Sequence, residues 1–441
     1  MTENKVPIDE SKKNDEGETS LQCSEMTKIL KIANIESTDL SSLTKLDIFN
    51  GGLSYLPESL ADFLPNLKTM FLMKNNFKEV PAVVGSCKNL DMVSFKSNQL
   101  VSIHPEALQP QMRWLILTDN NLTSIPSTIG RCTKLQKFML SGNKIESLPK
   151  EMESCANLEL IRLASNQLKN PPMSLLSLPK LSWVALSDNP FLKNTSEKIM
   201  NQLNLGSLNL LTVDDEGGEI LGKGASGITR KILLTNSDGS QEYVAVKKYA
   251  ASITSDGNPF EERKATLAAS SLKNDSLVPL KGQNENGSLV MELLVNYEAL
   301  GNPPSMKTCS RDTSYDDDLK ISSKEALALA TKLLDVLSKL HGIGLSHGDF
   351  YAHNILVSTG DKCIVKLTDF GAAFFYDKNS DYGKFIERIE MRAYGHLVEE
   401  LLMLMKRSGD SINIEKKLQT LLDICLSDTD DHGLTDLLDV M

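Results

Sequence analysis

Residues 347–371 read HGDFYAHNILVSTGDKCIVKLTDFG, and this stretch does most to decide the fold. It contains two polar motifs, HGDFYAHN and then DFG from Asp369, and the apolar run Cys363–Leu367 before the second motif predicts a strand. Two more strings lie upstream, LGKGASGI from Leu221 and VAVK ending at Lys247. A glycine-rich string alone arises often by chance. Four strings in this order and separation predict one specific architecture.

The four strings resemble those of the protein kinase family, from about Val213 to Met441. The resemblance implies a phosphotransferase that uses ATP and Mg²⁺. It implies that Asp349 orients the substrate hydroxyl and accepts its proton, and that Lys247 is the second catalytic residue because its ammonium holds the α/β-phosphates. It further implies metal binding by Asn354 and Asp369, and nucleotide binding by Leu221, Gly222, Gly224, Gly227, Ala245, Lys247, Glu292 and Leu294. Glycines suit that role because the backbone must approach a triphosphate without side-chain clashes.

The catalytic loop departs from the family pattern. Gly348 stands where an arginine usually pairs with a phosphate on the activation loop, so activation by loop phosphorylation is not expected. Tyr351 and His353 stand where a lysine or arginine usually follows the aspartate, so the serine/threonine versus tyrosine preference cannot be inferred from this loop. Segment 390–395 is predicted to start the large central helix. Nothing between Asp369 and that helix resembles the usual support for a peptide substrate.

The glutamate that should pair with Lys247 is left open by the sequence. The usual spacing falls on Ala265, and Glu261 and Glu262 lie about one helical turn earlier. We favour Glu262, on the condition that the connection from this helix to the next strand is longer than usual.

A second pattern fills the first half of the chain. Asparagines recur at intervals of 22 or 23 residues, at positions 75, 98, 120, 143, 166 and 189. Each ends a frame of the form L-x-x-L-x-L-x-x-N-x-L, which resembles leucine-rich repeats. No single repeat buries its own apolar edge, so stacking is needed for a continuous core, and the asparagines are expected to bond neighbouring backbone groups.

The alternation along each short strand predicts which side chains face outward on the concave side. These positions carry aromatic, methionine and aliphatic residues, namely Phe71, Met92, Trp114, Ile116, Met139, Leu160 and Trp183. Clusters of this kind usually mark a protein-binding surface. The alternative is that this face is covered by another part of the same chain.

The prediction is therefore a multidomain α/β plus α+β protein, a leucine-rich-repeat solenoid followed by a bilobal protein-kinase-like domain. We expect a disordered tail over residues 1–25, repeats over 38–203, a linker over 204–212 and the kinase-like domain over 213–441. The expected activity is transfer of the γ-phosphoryl group of ATP to a protein hydroxyl, serine or threonine rather than tyrosine. The repeat face would recruit a substrate or regulator. An inactive kinase-like scaffold and a small-molecule phosphotransferase are the alternatives.

The composition excludes some classes of partner and indicates the cellular compartment. The net charge of −11 and the absence of basic runs argue against nucleic acid as a partner. No window approaches the ~20 apolar residues of a membrane span, and residues 1–20 contain no apolar signal region. Seven scattered cysteines favour a reducing compartment, so we expect a cytoplasmic location.

Overall fold

The computed structural model describes residues 26–33, 40–203, 208–224, 226–250, 253–311, 315, 319–406, 412–427 and 432–441. The chain divides into two compact units, Met1–Leu158 and Glu159–Met441. The predicted tail over 1–25 lies outside the described residues, as does part of the predicted linker. No helix in the described ranges has the length and apolar character needed to cross a membrane.

The first unit is built from short parallel strands that repeat along the chain. After a helical stretch over 26–32 (α1) come β1 (Lys45–Asp47), α2 (Leu60–Phe63), β2 (Thr69–Phe71), β3 (Glu79–Val80), β4 (Met92–Ser94), β5 (Ser102–Ile103), β6 (Trp114–Ile116) and β7 (Lys137–Met139). Strands β1, β2, β4, β6 and β7 pair in parallel in that order, and β3 pairs with β5. Short 3₁₀ helices return the chain between strands, at Leu40–Ser42, Ala82–Ser86, Pro105–Ala107, Ser127–Arg131 and Lys150–Ser154.

The recurrent asparagines form the predicted ladder. The Asn143 amide accepts from the Leu122 N–H at 3.0 Å and donates to the Leu117 carbonyl at 2.9 Å, which are groups of the preceding repeat. Asn120 does the same with Leu100 and Phe95. Each amide satisfies buried backbone groups that the short strands leave unpaired. Three cysteines that recur at equivalent positions of the repeats, Cys87, Cys132 and Cys155, are buried free thiols.

The second unit begins with two more strands of the same repeat, followed by a sheet. Strands β8 (Leu160–Arg162) and β9 (Trp183–Ala185) are parallel, with α3 (Met173–Leu176) between them and α4 (Pro190–Leu203) after them. Strands β10 (Glu219–Gly224), β11 (Gly227–Thr235), β12 (Gln241–Tyr249), β13 (Leu280–Gln283) and β14 (Leu289–Glu292) then form an antiparallel sheet in the order β10-β11-β12-β14-β13. Helix α5 (Pro259–Ser270) connects β12 to β13.

The rest of the second unit is mainly helical. Its helices are α6 (Ser323–Gly342), α7 (Gly383–Leu404), α8 (Ile412–Leu426) and α9 (Leu434–Leu438), and a 3₁₀ turn covers Ala352–Asn354. Its short strands are β15 (Tyr297–Ala299), β16 (Leu345–Ser346), β17 (Ile355–Ser358), β18 (Val365–Leu367) and β19 (Phe374–Phe375). Ser322 and Glu325 form a capping box, which satisfies backbone N–H groups at the start of α6.

The large helix α7 corrects one sequence prediction. It begins at Gly383 rather than at Glu390, because the chain turns tightly at Gly383. A Cβ atom there would lie 2.6 Å from the Lys378 carbonyl oxygen, so the turn requires glycine. The segment from Asp369 to this helix is therefore even shorter than predicted.

Candidate active site

A cavity of about 390 Å³ lies in the second unit between the antiparallel sheet and the strands that follow it. Its walls include six of the residues predicted to bind a nucleotide or its metal, namely Leu221, Ala245, Lys247, Glu292, Leu294 and Asp369. Met291 and Leu356 add apolar surface. A mostly apolar pocket with a few converging charged groups is the usual form of a small-molecule site.

The three predicted glycines of the hairpin β10–β11 differ in the space that surrounds them. Gly222 and Gly224 have open space where a Cβ atom would be, so a ligand can approach their backbone closely. Gly227 is different, because a Cβ atom there would lie 2.1 Å from the Lys248 carbonyl oxygen on the adjacent strand β12. None of the three lines the cavity itself.

Lys247 pairs with Glu262, which answers the question left open by the sequence. The Lys247 ammonium donates to the Glu262 carboxylate, and that carboxylate lies on the buried face of α5. Burial opposes the charge of Lys247, but Glu262, Tyr249 and Asp369 together raise its pKa. The lysine therefore stays protonated and points into the cavity beside Asp369.

The catalytic-loop aspartate and asparagine are hydrogen-bonded to each other. The Asn354 Nδ2 donates to the Asp349 carboxylate and to the Asp349 carbonyl oxygen, both at 2.9 Å. The Asn354 backbone carbonyl in turn accepts from Thr368, next to Asp369. Asp349 and Asn354 do not line the cavity, but the Asp369 charge acts on the pKa of Asp349. Lys247 and Asp369 thus line the cavity, and hydrogen bonds link Asp349 to Asn354 and Asn354 to Thr368, the residue before Asp369.

Asp369 has the left-handed backbone conformation, which aspartate adopts more often than most residues other than glycine. Its φ is +58°, and its carboxylate accepts from the Gly371 N–H at 3.1 Å. The neighbouring Phe370 is buried and its ring lies 4.9 Å from the His347 ring. This packing turns the Phe370 side chain inward and leaves Asp369 exposed.

Glu390 on α7 holds the backbone of the catalytic loop, a role the sequence did not reveal. Its carboxylate accepts from the Gly348 N–H at 2.7 Å and from the His347 N–H at 3.0 Å, and it also bonds His341. Burial works against the charge of Glu390, but His341 and the backbone donor lower its pKa. Helix α7 contains three other glutamates, so the sequence does not distinguish Glu390 from them.

Arg162 on β8 is the second residue missed from the sequence. Its guanidinium binds the Asp349 carboxylate and donates to the Gly348 carbonyl at 3.0 Å. At the equivalent positions of the other paired strands lie Asp47, Phe71, Ser94, Ile116, Met139 and Ala185. The sequence signal for Arg162 is a basic side chain at a position where these six are acidic or uncharged.

Trp183 does not lie on a free surface. Its indole N–H donates to the Phe350 carbonyl at 3.0 Å, and its ring stacks on Tyr351 with centroids 4.3 Å apart. At this end of the predicted concave face, another part of the same chain covers the surface, which was the alternative left open by the sequence. Leu160 is also buried, as are Trp114 and Met139, whereas Phe71, Met92 and Ile116 are partly exposed.

Gly348 has a steric reason to be glycine. Its φ is +74°, and a Cβ atom would lie 2.5 Å from the Val184 carbonyl and 2.6 Å from the Ala372 carbonyl. The backbone of β9 therefore approaches the catalytic loop so closely that no side chain fits. The arginine usual at this position is excluded by the same contact.

Comparisons with known proteins agree with both halves of this description. Residues 216–394 match the family model of the protein kinase domain, and residues 110–168 match that of the leucine rich repeat. The "Probable serine/threonine-protein kinase fnkE" of Dictyostelium discoideum is 27% identical over 122 residues, which are 26% of this chain and 9% of that protein. The match thus spans about a tenth of that relative's length.

Solved structures are similar to part of the chain. One of them is a leucine-rich-repeat protein of Leptospira interrogans, at 25% identity and a TM-score of 0.32, over 37% of this chain and 47% of that chain. The predicted fold class, repeats followed by a kinase domain, is confirmed by the two family models.

Proposed function

We propose that this chain, which carries leucine-rich repeats followed by a protein kinase domain, transfers the γ-phosphoryl group of ATP to a protein hydroxyl. The observation that carries the proposal is the cleft in which Lys247, paired with Glu262, lies beside Asp369, with the bonded Asp349 and Asn354 next to it. Phosphoryl transfer depends mainly on positioning and charge stabilisation, and these side chains supply both.

The residues that line the cavity support the following arrangement of the nucleotide. Leu221, Ala245 and Leu356 offer apolar surface to the adenine ring. The Glu292 N–H already donates to the Pro279 carbonyl, so the polar edge of adenine falls to the Glu292 carbonyl and the Leu294 backbone. Lys247 binds the α/β-phosphates, and the open backbone at Gly222 and Gly224 lets the glycine-rich hairpin fold over the triphosphate.

The donor atoms fit Mg²⁺. Asp369 offers a carboxylate oxygen and Asn354 an amide oxygen, which are the hard ligands this ion prefers. Among the described residues, no cluster of three or more histidine, cysteine or acidic side chains forms a complete metal site. Two protein ligands therefore fit an ion that also binds phosphate oxygens, and such an ion would neutralise charge on the transferred group.

Asp349 orients the acceptor hydroxyl and takes its proton. The bond from Asn354 fixes one carboxylate oxygen, and Glu390 fixes the loop backbone before it. The kinship with a protein named as a probable serine/threonine kinase supports serine or threonine as acceptor. The partly exposed repeat side chains Phe71, Met92 and Ile116 form the proposed site that recruits a substrate or regulator.

The domain limits predicted from the sequence, repeats over 38–203 and the catalytic domain over 213–441, stay part of this proposal. We also propose a cytoplasmic location, because the described cysteines are free thiols, as is typical of a reducing compartment.

A second candidate function is a kinase-like scaffold that binds nucleotide without transferring phosphate. It is favoured by the contact between Arg162 and Asp349, since that contact takes one oxygen of the proposed base. The short segment between Asp369 and α7 favours a third candidate, a small-molecule acceptor, because it leaves little surface for a peptide.

One experiment separates the three. The purified chain is incubated with γ-labelled ATP and Mg²⁺, with protein and small-molecule acceptors offered in parallel, beside the variants Asp349→Asn and Asp369→Ala. Label on protein that both variants abolish supports the proposal. Label only on small molecules supports the third candidate, and nucleotide binding without any transfer supports the scaffold.

A further inference from the structure

The end of the repeat array contacts two separate parts of the catalytic machinery through one side chain. The Arg162 Nε donates to the Asp256 carboxylate at 3.0 Å, while its terminal nitrogens bind the Gly348 carbonyl and the Asp349 carboxylate. Its side chain is 2% exposed. A buried guanidinium with all its bonds directed to two loops fixes their relative position, because its fork geometry is rigid.

Neighbouring contacts reinforce the attachment to the catalytic loop. The Trp183 indole bonds the Phe350 carbonyl, and the Val184 carbonyl packs against Gly348. The Arg392 side chain on α7 donates to the Leu181 carbonyl at 2.9 Å. The loop that carries Asp349 is therefore held from the repeat side by backbone and side-chain contacts.

A second set of contacts holds the start of helix α5. Asn258 is the N-cap of that helix, and its amide donates to Asp188, which follows β9, at 3.2 Å. A Cβ atom on Gly257 would lie 3.1 Å from the Ala164 Cβ, so the two backbones are close. Asp256, Gly257 and Asn258 directly precede the turn of α5 that carries Glu262. Fixing this helix start fixes the partner of Lys247.

The electrostatic setting gives Arg162 a second effect. Residues 347–354 contain no lysine or arginine. Burial raises the pKa of Asp349, and Asp256 and Asp369 act in the same direction, whereas Arg162 and His353 lower it. A triphosphate would add more negative charge. Arg162 therefore places a positive charge against a loop that has no lysine or arginine of its own.

Burial disfavours the charge of Arg162 itself, but Asp349 and Asp256 outweigh burial and raise its pKa. The guanidinium therefore remains charged throughout the pH range in which the protein is folded.

We propose that Arg162 is a positioning residue for phosphoryl transfer: by binding Asp349 and Asp256 together, the last repeats hold the catalytic aspartate and helix α5 in their working arrangement. This inference rests on the proposed kinase activity for its consequence, but not for its structural content. The segment after Asp369 is too short to order the catalytic loop and helix α5. On this proposal, the contact with the repeats orders them instead.

Hydrogen exchange tests the bridge without any activity. Exchange is compared in the full chain, Arg162→Ala, Arg162→Lys and the control Arg131→Ala, an exposed arginine on the 3₁₀ turn of an earlier repeat. In Arg162→Ala we expect faster exchange at two segments far apart in sequence, 254–262 and 347–351. In the control Arg131→Ala, exchange at both segments should equal that of the unsubstituted chain. Unchanged exchange at either segment would overturn the inference.

Kinetics test its consequence. In Arg162→Ala we expect kcat to fall by about 10²-fold, as for loss of a group that aligns or stabilises the reacting atoms. The KM for ATP should change less than about threefold, because Arg162 does not line the cavity. Arg162→Lys should recover part of kcat, because it keeps the charge without the fork.

The failures are distinguishable. If the wild-type chain transfers no phosphate to any acceptor, the proposed function fails and hydrogen exchange alone decides the bridge. If Arg162→Ala transfers as fast as wild type, or faster, the contact is neutral or blocks the acceptor site, and the positioning role is wrong.

Discussion

The substitution Gly348→Ala should separate the catalytic loop from the end of the repeats. A Cβ atom at this position would lie 2.5 Å from the Val184 carbonyl, about 0.9 Å inside the 3.4 Å of ordinary contact, and 2.6 Å from the Ala372 carbonyl. Both obstacles are backbone atoms, so neither can move aside by a rotamer change. One of the two segments, β9 or the strand-forming segment after Asp369, has to shift.

The expected cost has two parts. A φ of +74° costs an L-residue with a Cβ atom roughly 1–2 kcal/mol relative to glycine. Overpacking against fixed neighbours typically costs about 1–3 kcal/mol more. We therefore expect the free energy of unfolding of unit Glu159–Met441 to fall by about 2–5 kcal/mol, a large share of the ~5–15 kcal/mol of a typical protein.

The assay is urea unfolding followed by tryptophan fluorescence in a Trp114→Phe background, where Trp183 is the remaining tryptophan. In the folded state the Trp183 emission should also shift toward that of an exposed indole, because its bond to Phe350 and its stacking on Tyr351 loosen. The matched control is Gly342→Ala at the end of α6, where a Cβ atom meets nothing within 4 Å. A Gly348→Ala variant with wild-type stability and unshifted emission would refute the reasoning.

Three further variants test other parts of the molecule. Glu262→Gln leaves Lys247 without its carboxylate, so phosphate transfer should fall by about 10²-fold while urea unfolding changes little; a wild-type rate would show that this pair is not needed. Glu390→Gln should cost about 1–3 kcal/mol at pH 7, since it removes a charged acceptor for buried donors. The folded-state pKa of Glu390 lies below the ordinary value of 4.5, so its ionised carboxylate stabilises the fold above pH 4.5. This stabilisation is lost as the pH falls through the folded-state pKa. The acid unfolding curves of wild type and variant should therefore converge at pH values below that pKa. Asn143→Ala should destabilise the first unit by about 1–3 kcal/mol, because it leaves buried ladder groups unpaired. The control Asn157→Ala removes an exposed hydrogen bond to the Thr133 carbonyl and should cost less than about 0.5 kcal/mol. Equal shifts in the thermal unfolding of the two variants would contradict the role of the ladder.

The parts of this protein that the sequence predicted are those whose physics is local or periodic. The asparagine frame predicted the ladder, since a recurring amide at a fixed interval can only meet the equivalent groups of its neighbours. The apolar run Cys363–Leu367 predicted a strand, which the structure has at Val365–Leu367. The start of α7 was placed seven residues too late, because the turn at Gly383 depends on a close approach to residues 377–378.

The pairing of Lys247 shows where spacing stops being sufficient. Counting residues pointed to Ala265, which is buried in α5, whereas the carboxylate that reaches the lysine belongs to Glu262. The choice between Glu261 and Glu262 depends on the rotation of α5 about its axis. That rotation is set by packing against β12 and by the attachment of the helix start at Asn258.

The sequence by itself determined the repeat period and the order of the kinase motifs, because both follow from spacing along the chain. Only the tertiary structure decided that Arg162 meets Asp349, that Trp183 lies against the catalytic loop and that Gly348 must lack a side chain. These contacts join residues 164 to 187 positions apart. No local pattern encodes which of many outward-facing side chains another segment will cover. The physical reason is that the fold brings two independently patterned surfaces together, and their complementarity exists only once both have formed.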